Sequence, residues 1–435
     1  MDKKKKLLLI FVLALILRVI FIPFTLNLRV ITDGSSYTVA AMSLANLKGL
    51  KDLISQEPYY SQMPGYPIFL IPMFINADIV KITNNMKGEN LSNYAIYNWR
   101  AIAVFIYQAI LQSLLVVLLI SLLPHKFILP AGIICSIDPF NIMFAVNLFK
   151  ESGLMIYLGL FVYFFLLIPK TEQRTYLASC LLLLASISLL GMCLITAPVM
   201  AIFPLFFVFF YYIFYKDKKV FYIILSYLFL GLYLLAIYSD TGAFILRKTS
   251  NKSLILESVL WDGDGRFSEY DISYKKDISP VLSEINSKYN TFEEKEDAYL
   301  KYAIDYTIKH PFIVLYRFFK LNFWFWMDYP GSELYIKTLP FNKIFDFLLR
   351  FYQVIIVVFS VYGVFIGLRS VELGNNIQKI SVMILILYLY FAIFHLPFHP
   401  VPRYYMPIRI FMLVSFVFGI YNIEARGTEA QRHKV

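Results

Sequence analysis

Residues 7–24 read LLLIFVLALILRVIFIPF, an apolar run interrupted by a single charge, Arg18. A run of about 18 or more apolar residues is long enough to cross the hydrocarbon core of a bilayer as a helix. Similar runs recur along the 435 residues, of which 59% are hydrophobic, 18% aromatic and only 16% charged. Water-soluble domains do not have this composition. The sequence therefore predicts an all-α polytopic membrane protein.

Ten runs are predicted to span the membrane. They are 7–24, 98–122, 127–146, 152–168, 175–194, 198–215, 219–238, 346–368, 378–396 and 404–422. An eleventh run, 64–82, contains three prolines and the polar Asn76-Ala77-Asp78, so its apolarity alone does not show whether it spans.

The basic residues between the runs predict the topology. The amino-terminal MDKKKK is expected to face the cytoplasm, because short cytoplasmic segments are enriched in lysine and arginine. The later basic loops are also cytoplasmic if 64–82 does not span, and extracytoplasmic if it does. We therefore predict that 64–82 is an interfacial or re-entrant helix and that both termini are cytoplasmic. The net charge of +11 is then a topology signal, and nucleic acid is not expected as a partner.

Three parts follow from this topology. Residues 1–238 are an amino-terminal membrane module whose first outer loop is 25–97. Residues 239–345 are an extracytoplasmic insert, and residues 346–435 contain the last transmembrane helices and a cytoplasmic tail.

Within the insert, Thr291 and Glu294 have the spacing of a capping box, which predicts a helix that ends at Pro311. The apolar face of this helix is predicted to contain Phe292, Tyr299, Tyr302 and Tyr306. The tryptophan- and phenylalanine-rich segment 312–328 is predicted to lie in the membrane interface.

Asp33 lies just outside the first span, in RVITDGSSYTVAAMSLANLKGL (29–50). Asp-Gly-Ser-Ser is typical of a helix N-cap, and the predicted helix has an apolar face and ends at Gly49. That face consists of Tyr37, Ala40, Ala41, Leu44 and Leu47. The cap does not exclude a catalytic role, because a carboxylate at a helix start can also point into a site.

Other polar residues are predicted on the same outer side. Glu151 opens a span, where an acid is favoured by the helix dipole but is also a functional candidate. Arg403 opens the last span beside His395 and His399, and it could either snorkel to the interface or bind a lipid phosphate. Arg100, at the start of the second span, raises the same two alternatives.

The order of these motifs resembles a known family. Asp33 and Tyr37 are followed by PGYPIFL (64–70), NWRAIAVFIYQAILQSLLVVLLISLLPHK (98–126), Glu151 and RYYMPIRIFML (403–413). The pattern is similar to the GT-C superfamily of membrane glycosyltransferases, especially the bacterial proteins similar to protein O-mannosyltransferases and the lipid A aminoarabinose transferase. The resemblance covers about 8–215 and 290–415.

The resemblance implies a GT-C-like bundle of ten or eleven transmembrane helices, with interfacial helices in the first outer loop. Because the sequence shows no other secretory-pathway signal, we expect the protein in a bacterial cytoplasmic (inner) membrane. The expected partners are a sugar donor on polyprenyl phosphate, membrane lipids, and an acceptor that is a lipid, a glycan or a protein. Asp33 is implied as the catalytic general base of an inverting transfer, and Glu151 as the second catalytic carboxylate, which positions the acceptor or a metal. No cofactor is certain, and a divalent cation held by Asp33 and Glu151 stays open. The implied substrate-binding residues are Tyr37, Tyr66, Arg100, His399, Arg403 and Tyr404.

The sequence departs from the motifs of this family at two places, and two other functions stay open. Thr196-Ala197-Pro198 stands where many relatives have Thr-Arg-Pro, and YYSQM before PGYP carries no basic residue, so donor binding would rest on Arg403, Arg100 or Lys320. A flippase for lipid-linked glycans would require charges buried within the spans, of which the sequence has few. A surface-polysaccharide polymerase or ligase would depend on outer arginines and a histidine rather than on Asp33.

Overall fold

A computed structural model describes residues 2–26, 32–50, 63–75, 99–168, 176–241, 252–260, 272–329, 342–369, 375–395 and 402–432. Within these ranges the regular structure is helical throughout and contains no strand. The prediction of an all-α protein is therefore confirmed.

The α-helices of the described ranges are numbered here in chain order. They are α1 Lys3–Leu26, α2 Thr32–Ala45, α3 Gly65–Phe74, α4 Trp99–Ser121, α5 His125–Ile137, α6 Pro139–Ala145, α7 Lys150–Leu167, α8 Tyr176–Leu194, α9 Phe203–Tyr215, α10 Tyr227–Thr241, α11 Lys252–Leu260, α12 Ile272–Lys288, α13 Phe292–Lys309, α14 Pro311–Met327, α15 Asn342–Arg369, α16 Asn375–Phe394 and α17 Arg409–Arg432. Short 3-10 helices at Pro198–Ile202, Lys218–Ser226 and Pro402–Ile408 precede α9, α10 and α17.

Nine helical segments of the described residues are long and apolar enough to cross a membrane, and the bent pair α5 and α6 makes a tenth if it is one span. These ten segments coincide with the ten predicted runs. The predicted run 127–146 is nevertheless not one straight helix, because its two parts meet at an angle of 59°. Asp138 accepts a hydrogen bond from the Asn141 backbone amide as the cap of α6, and Pro139 stands at the first position of α6. A proline there starts a new helix and cannot continue the previous one.

Helix α3 covers only part of the run 64–82. Its ten residues extend roughly 15 Å, about half the thickness of a bilayer's hydrocarbon core. This helix is therefore too short to span by itself, as the charge pattern predicts. Residues 76–82 lie outside the described ranges, and the interfacial placement stays a prediction.

The chain divides into two compact units. Unit 1 comprises Met1–Lys248, Phe359–Ile386 and Met406–Val435, and unit 2 comprises Thr249–Val358 and Leu387–Tyr405. The predicted parts 1–238, 239–345 and 346–435 describe sidedness in the membrane, which is a different property, and they stay a prediction.

In unit 1, α15 and α17 approach each other at two glycines. A Cβ atom at Gly363 would overlap the Ser415 carbonyl oxygen, and one at Gly419 would lie 2.5 Å from the Phe359 carbonyl oxygen. The hydroxyl oxygens of Ser360 and Ser415 are 2.6 Å apart in the same contact. Small residues allow the backbones of membrane helices to pack this closely.

In unit 2, the predicted capping box at the start of α13 is confirmed. The Thr291 hydroxyl accepts from the Glu294 amide at 3.3 Å, and the Glu294 carboxylate accepts from the Thr291 amide at 3.1 Å. These hydrogen bonds hold the pKa of Glu294 below its ordinary value. On the predicted apolar face, Tyr299 packs in the core, whereas Tyr302 is 39% exposed, so its assignment to that face is wrong. Pro311 is the first residue of α14, so it starts the next helix as well as ending the predicted one.

We predict that Gly363→Ala lowers the thermal unfolding midpoint in detergent. The new methyl group would force α15 and α17 apart, and overpacking of this kind costs typically 1–3 kcal/mol, here at the upper end because the obstacle is backbone. Gly231→Ala in α10 is the matched control, because no heavy atom lies within 4 Å of the added Cβ, and alanine is the better helix former. Equal midpoints for the two variants would contradict the close approach.

Candidate functional site

The predicted base, Asp33, is the second residue of α2. The helix begins at Thr32, so Asp33 lies within its first turn and not at the N-cap position that the sequence predicts. A carboxylate in the first turn is favoured by the helix dipole. The side chain of Asp33 lies outside the described residues, and its catalytic role stays a proposal.

The other end of α2 also differs from the prediction. The helix ends at Ala45, and Leu47 adopts the left-handed conformation with φ 57° and is 96% exposed. Leu47 therefore ends the helix in place of Gly49 and does not belong to its apolar face. Tyr37, Ala40 and Ala41 are buried as predicted.

Tyr66, at the start of α3, lies at the centre of the contacts that join α2, α4 and α7. Its buried hydroxyl donates to Gln108 Oε1 of α4 at 2.9 Å. Its ring packs edge-on against Tyr37 of α2, with centroids 5.0 Å apart. A Cβ atom on Gly153 of α7 would lie 2.7 Å from the Tyr66 ring, so the glycine allows the ring to rest on the α7 backbone. Two residues that the resemblance assigns to substrate binding, Tyr37 and Tyr66, are thus in direct contact.

Gln108 extends this arrangement to α6. Its side-chain amide nitrogen donates to the carbonyl oxygens of Asn147 at 3.0 Å and Ala145 at 3.4 Å. The Ser152 hydroxyl donates to the Phe144 carbonyl oxygen, which joins the start of α7 to α6. The backbone groups released at the end of α6 are therefore satisfied by buried side chains from α4 and α7.

The PGYP motif packs against the Thr196-Ala197-Pro198 motif. The Gly65 amide donates to the Ile195 carbonyl oxygen at 2.7 Å, and a Cβ atom at Gly65 would overlap Thr196. The Tyr157 hydroxyl donates to the Gly65 carbonyl oxygen at 3.3 Å. Ala197, which stands where the resemblance leads one to expect an arginine, is buried. Only glycine fits at position 65 in this packing.

Glu151 is buried in the first turn of α7, with only 3% of its surface exposed. Burial raises the pKa of the Tyr66 hydroxyl well above its usual value, and the charge of Glu151 is the second cause of this rise. Glu151 therefore lies close to Tyr66. Among the described residues, no hydrogen bond or ion pair to the Glu151 carboxylate is present. A buried carboxylate of this kind is a functional-site candidate.

Arg100 contacts the end of α3. Its Nη1 donates to the carbonyl oxygens of Met73 at 3.0 Å and Ile75 at 3.2 Å. These bonds satisfy carbonyl groups that a helix end leaves open. Its proposed contact with substrate would have to be made in addition to this capping role.

Arg403 and Tyr404 belong to unit 2. The buried Arg403 guanidinium lies over the Tyr404 ring, 5.5 Å from its centroid. Tyr404 also contacts the His395 ring, which is stacked on Phe391 at 4.8 Å. His399 lies outside the described residues. The structure thus brings Tyr37, Tyr66 and Glu151 together in unit 1, and Arg403 and Tyr404 together in unit 2.

Unit 1 also contains a buried group of charges that the sequence analysis did not select: Arg18 of α1, Asp138 at the α5–α6 break, and Arg409 of α17. Arg409 Nη2 and Nε donate to the two Asp138 carboxylate oxygens at 2.7 Å and 3.3 Å, and both side chains are fully buried. Arg18 is fully buried as well, and it lies near enough to Asp138 to interact with it electrostatically. A signal was available, because each of these charges interrupts an apolar run, and charges in such runs are functional candidates. The expectation of few buried charges underestimated this group.

Among the described residues, no three His, Cys, Asp or Glu side chains cluster in a way that could hold a metal ion. A divalent cation site that includes Asp33 involves a side chain outside those residues, and it stays open.

Comparisons with known proteins were made for the whole chain. No family model matches it, and no curated protein matches it. A search of solved structures returns a likeness to the crystal structure of ArnT from Cupriavidus metallidurans bound to undecaprenyl phosphate. The two chains are 11% identical with a TM-score of 0.41, and the match covers 95% of this chain and 77% of the ArnT chain.

We predict that Tyr66→Phe lowers the free energy of unfolding by about 1–3 kcal/mol, because it leaves the buried Gln108 Oε1 without its donor. Tyr299→Phe is the matched control, since it removes a 3.0 Å bond to Asn286, an exposed residue that water can reach. Denaturant unfolding in detergent measures both variants. An equal effect of the two would contradict the importance of the buried bond.

We predict that Asp138→Asn destabilises the protein more than Arg409→Met. Asparagine keeps the size of Asp138 but removes the carboxylate that interacts with the two buried guanidinium groups, and breaking a buried pair from one side costs about 3–5 kcal/mol. In Arg409→Met, Asp138 still has Arg18 nearby. The thermal unfolding midpoints of the two variants measure this difference. A larger drop in the midpoint for Arg409→Met would contradict the shared role of Asp138.

Proposed function

We propose that this protein is a membrane glycosyltransferase. It would transfer a sugar from a polyprenyl-phosphate donor to an acceptor on the extracytoplasmic face, with inversion at the anomeric carbon. The motif order from Asp33 to Arg403, similar to that of GT-C enzymes, is the sequence argument for this proposal.

One structural observation carries the proposal: the buried Glu151 lies beside Tyr66, and Tyr66 contacts Tyr37, which follows Asp33 by one helical turn in α2. Residues that are far apart in sequence, and that the resemblance selects independently of structure, therefore belong to one region of unit 1. A buried acid with no hydrogen bond to a described residue is unfavourable unless it has a use, such as orienting a hydroxyl or a cation.

The proposed reaction requires one proton transfer and one displacement. Asp33 takes the proton from an acceptor hydroxyl as that oxygen forms a bond to the anomeric carbon. The bond from the anomeric carbon to the donor phosphate oxygen breaks on the opposite face, and its electron pair leaves with the phosphate. Because the phosphate leaves as a stable anion, the reaction needs no acid at the leaving group. On the resemblance alone, Arg403 is our candidate for stabilising the phosphate charge, since a guanidinium can hold two phosphate oxygens.

Asp33→Asn tests the proposal in cells that lack the protein and are complemented with wild type or variant. Loss of a general base lowers the rate by about 10²–10⁴-fold, so this variant should behave like the deletion. Mass spectrometry should then detect one accumulated lipid-linked sugar and the loss of one surface glycan. Glu151→Gln is expected to give the same pattern.

Asp305→Asn is the matched control, because Asp305 is an exposed acid of α13 on the same predicted side of the membrane. It should restore the wild-type glycan profile, and all variants are compared at equal membrane abundance. Wild-type behaviour of Asp33→Asn would reject Asp33 as the base.

The buried charges Arg18, Asp138 and Arg409 favour a second candidate, a transporter of lipid-linked glycans. A transporter moves the lipid-linked sugar without breaking its bond to phosphate, whereas the transferase releases polyprenyl phosphate. Purified protein in proteoliposomes with a radiolabelled lipid-linked sugar separates the two, because only the transferase converts the lipid in the presence of acceptor.

A further inference from the structure

Arg18 has an unusual set of contacts for a buried arginine. It is fully buried in α1, a candidate membrane span. Its Nη1 donates to the Ala14 carbonyl oxygen at 2.9 Å, one turn earlier in the same helix. Its Nε and Nη2 have no hydrogen-bond partner among the described residues. Buried donors of a charged group are expensive to leave unpaired, so these two atoms require an explanation.

The two atoms lie on one edge of the planar guanidinium. Nε–H and the neighbouring Nη2–H point the same way, and this edge binds two oxygens of a carboxylate or phosphate side by side. Arg409 uses the same edge in the same unit, where its Nε and Nη2 hold the two oxygens of Asp138. Arg18 therefore offers the binding geometry that Arg409 already uses.

The charges of the group do not balance. Asp138 supplies one negative charge, and its two oxygens already accept from Arg409 and from the Asn141 amide. Arg18 and Arg409 supply two positive charges, so among the described residues these three side chains carry one excess positive charge in the interior of a membrane bundle. A buried excess charge is unfavourable unless an anion accompanies it.

We propose that Arg18 is the anchor of an internal anion site that binds a phosphate-type oxyanion through its Nε and Nη2 edge. Two hydrogen bonds side by side favour an oxyanion over a spherical anion such as chloride, because only the former presents two oxygens at matching spacing. Arg18 is eight residues from Leu26, so it lies about 12 Å along α1 from the predicted outer end of the helix. The oxyanion is either free phosphate or the headgroup of a lipid that enters between the helices. The inference does not depend on glycosyl transfer.

The test uses the full-length protein in a neutral detergent with two probes. Inorganic phosphate is compared with chloride at equal ionic strength, and mixed micelles containing a long-chain isoprenyl monophosphate are compared with micelles containing the corresponding isoprenol. We expect at least one phosphate probe to raise the unfolding midpoint of the wild type saturably. A response to inorganic phosphate identifies a free-phosphate site, and a response to the lipid alone identifies a headgroup site.

Two Arg18 variants and one control assign the response. Arg18→Lys keeps the charge but loses the paired donors, so it should bind the effective probe at least tenfold more weakly. Arg18→Met removes the charge and should abolish the response while keeping or raising the midpoint without probe. Arg317→Lys in unit 2 is the control, because Arg317 is a buried arginine that already donates to the Val259 carbonyl oxygen and the Tyr306 hydroxyl. It should respond like the wild type.

Three outcomes would overturn the proposal. They are the absence of any phosphate response in the wild type, an undiminished response in either Arg18 variant, and equal weakening in Arg317→Lys. If the Arg18 variants do not fold, a cryo-EM map of the wild type with the effective probe decides. Density within hydrogen-bonding distance of Arg18 Nε and Nη2 is expected, and probe density elsewhere would reject the site.

Discussion

The ion pair between Asp138 and Arg409 is the constraint on which the rest of unit 1 depends. A carboxylate and a guanidinium inside a membrane bundle are stable only when their hydrogen-bonding groups are matched. Arg409 meets this requirement side-on, and the Asn141 amide supplies a further donor to the carboxylate. The pair fixes α17 to the break between α5 and α6, so it determines where α6 points.

A short series of contacts connects α6 to the candidate site. The carbonyl groups at the end of α6 accept from Gln108, and Gln108 accepts from Tyr66 of α3. The Tyr66 ring in turn packs against Gly153 of α7, close to Glu151. Each step is a buried hydrogen bond or a close ring contact, in which small displacements are costly. The region with the candidate acid is therefore held by α4, α6 and α7 as well as by the segment that contains α2 and α3.

The sequence was sufficient for the features that depend on local composition. The spans follow from hydropathy, and the capping box of α13 follows from Thr291 and Glu294, because both properties are set within a few residues. The break at Asp138 was visible as an aspartate before a proline, but the surrounding apolar run concealed it. The partner of Asp138 could not be predicted, because Arg409 is 271 positions away and a single sequence carries no information on such pairs. For the same reason, the resemblance selected Tyr66 without indicating that Gln108 holds it.

The contact between Gly65 and the end of α8 has a consequence for divergence within such a fold. The bond runs from a backbone amide to a backbone carbonyl, so the side chain of Ile195 takes no part in it. Ile195 itself packs with Met63 in an apolar cluster, so apolar substitutions at position 195 can accumulate without breaking the bond, whereas position 65 tolerates no side chain at all. An attachment of this kind requires a particular residue at only one or two positions of the sequence. Two proteins that share it can therefore lose almost all detectable similarity and still hold the start of α3 in the same way.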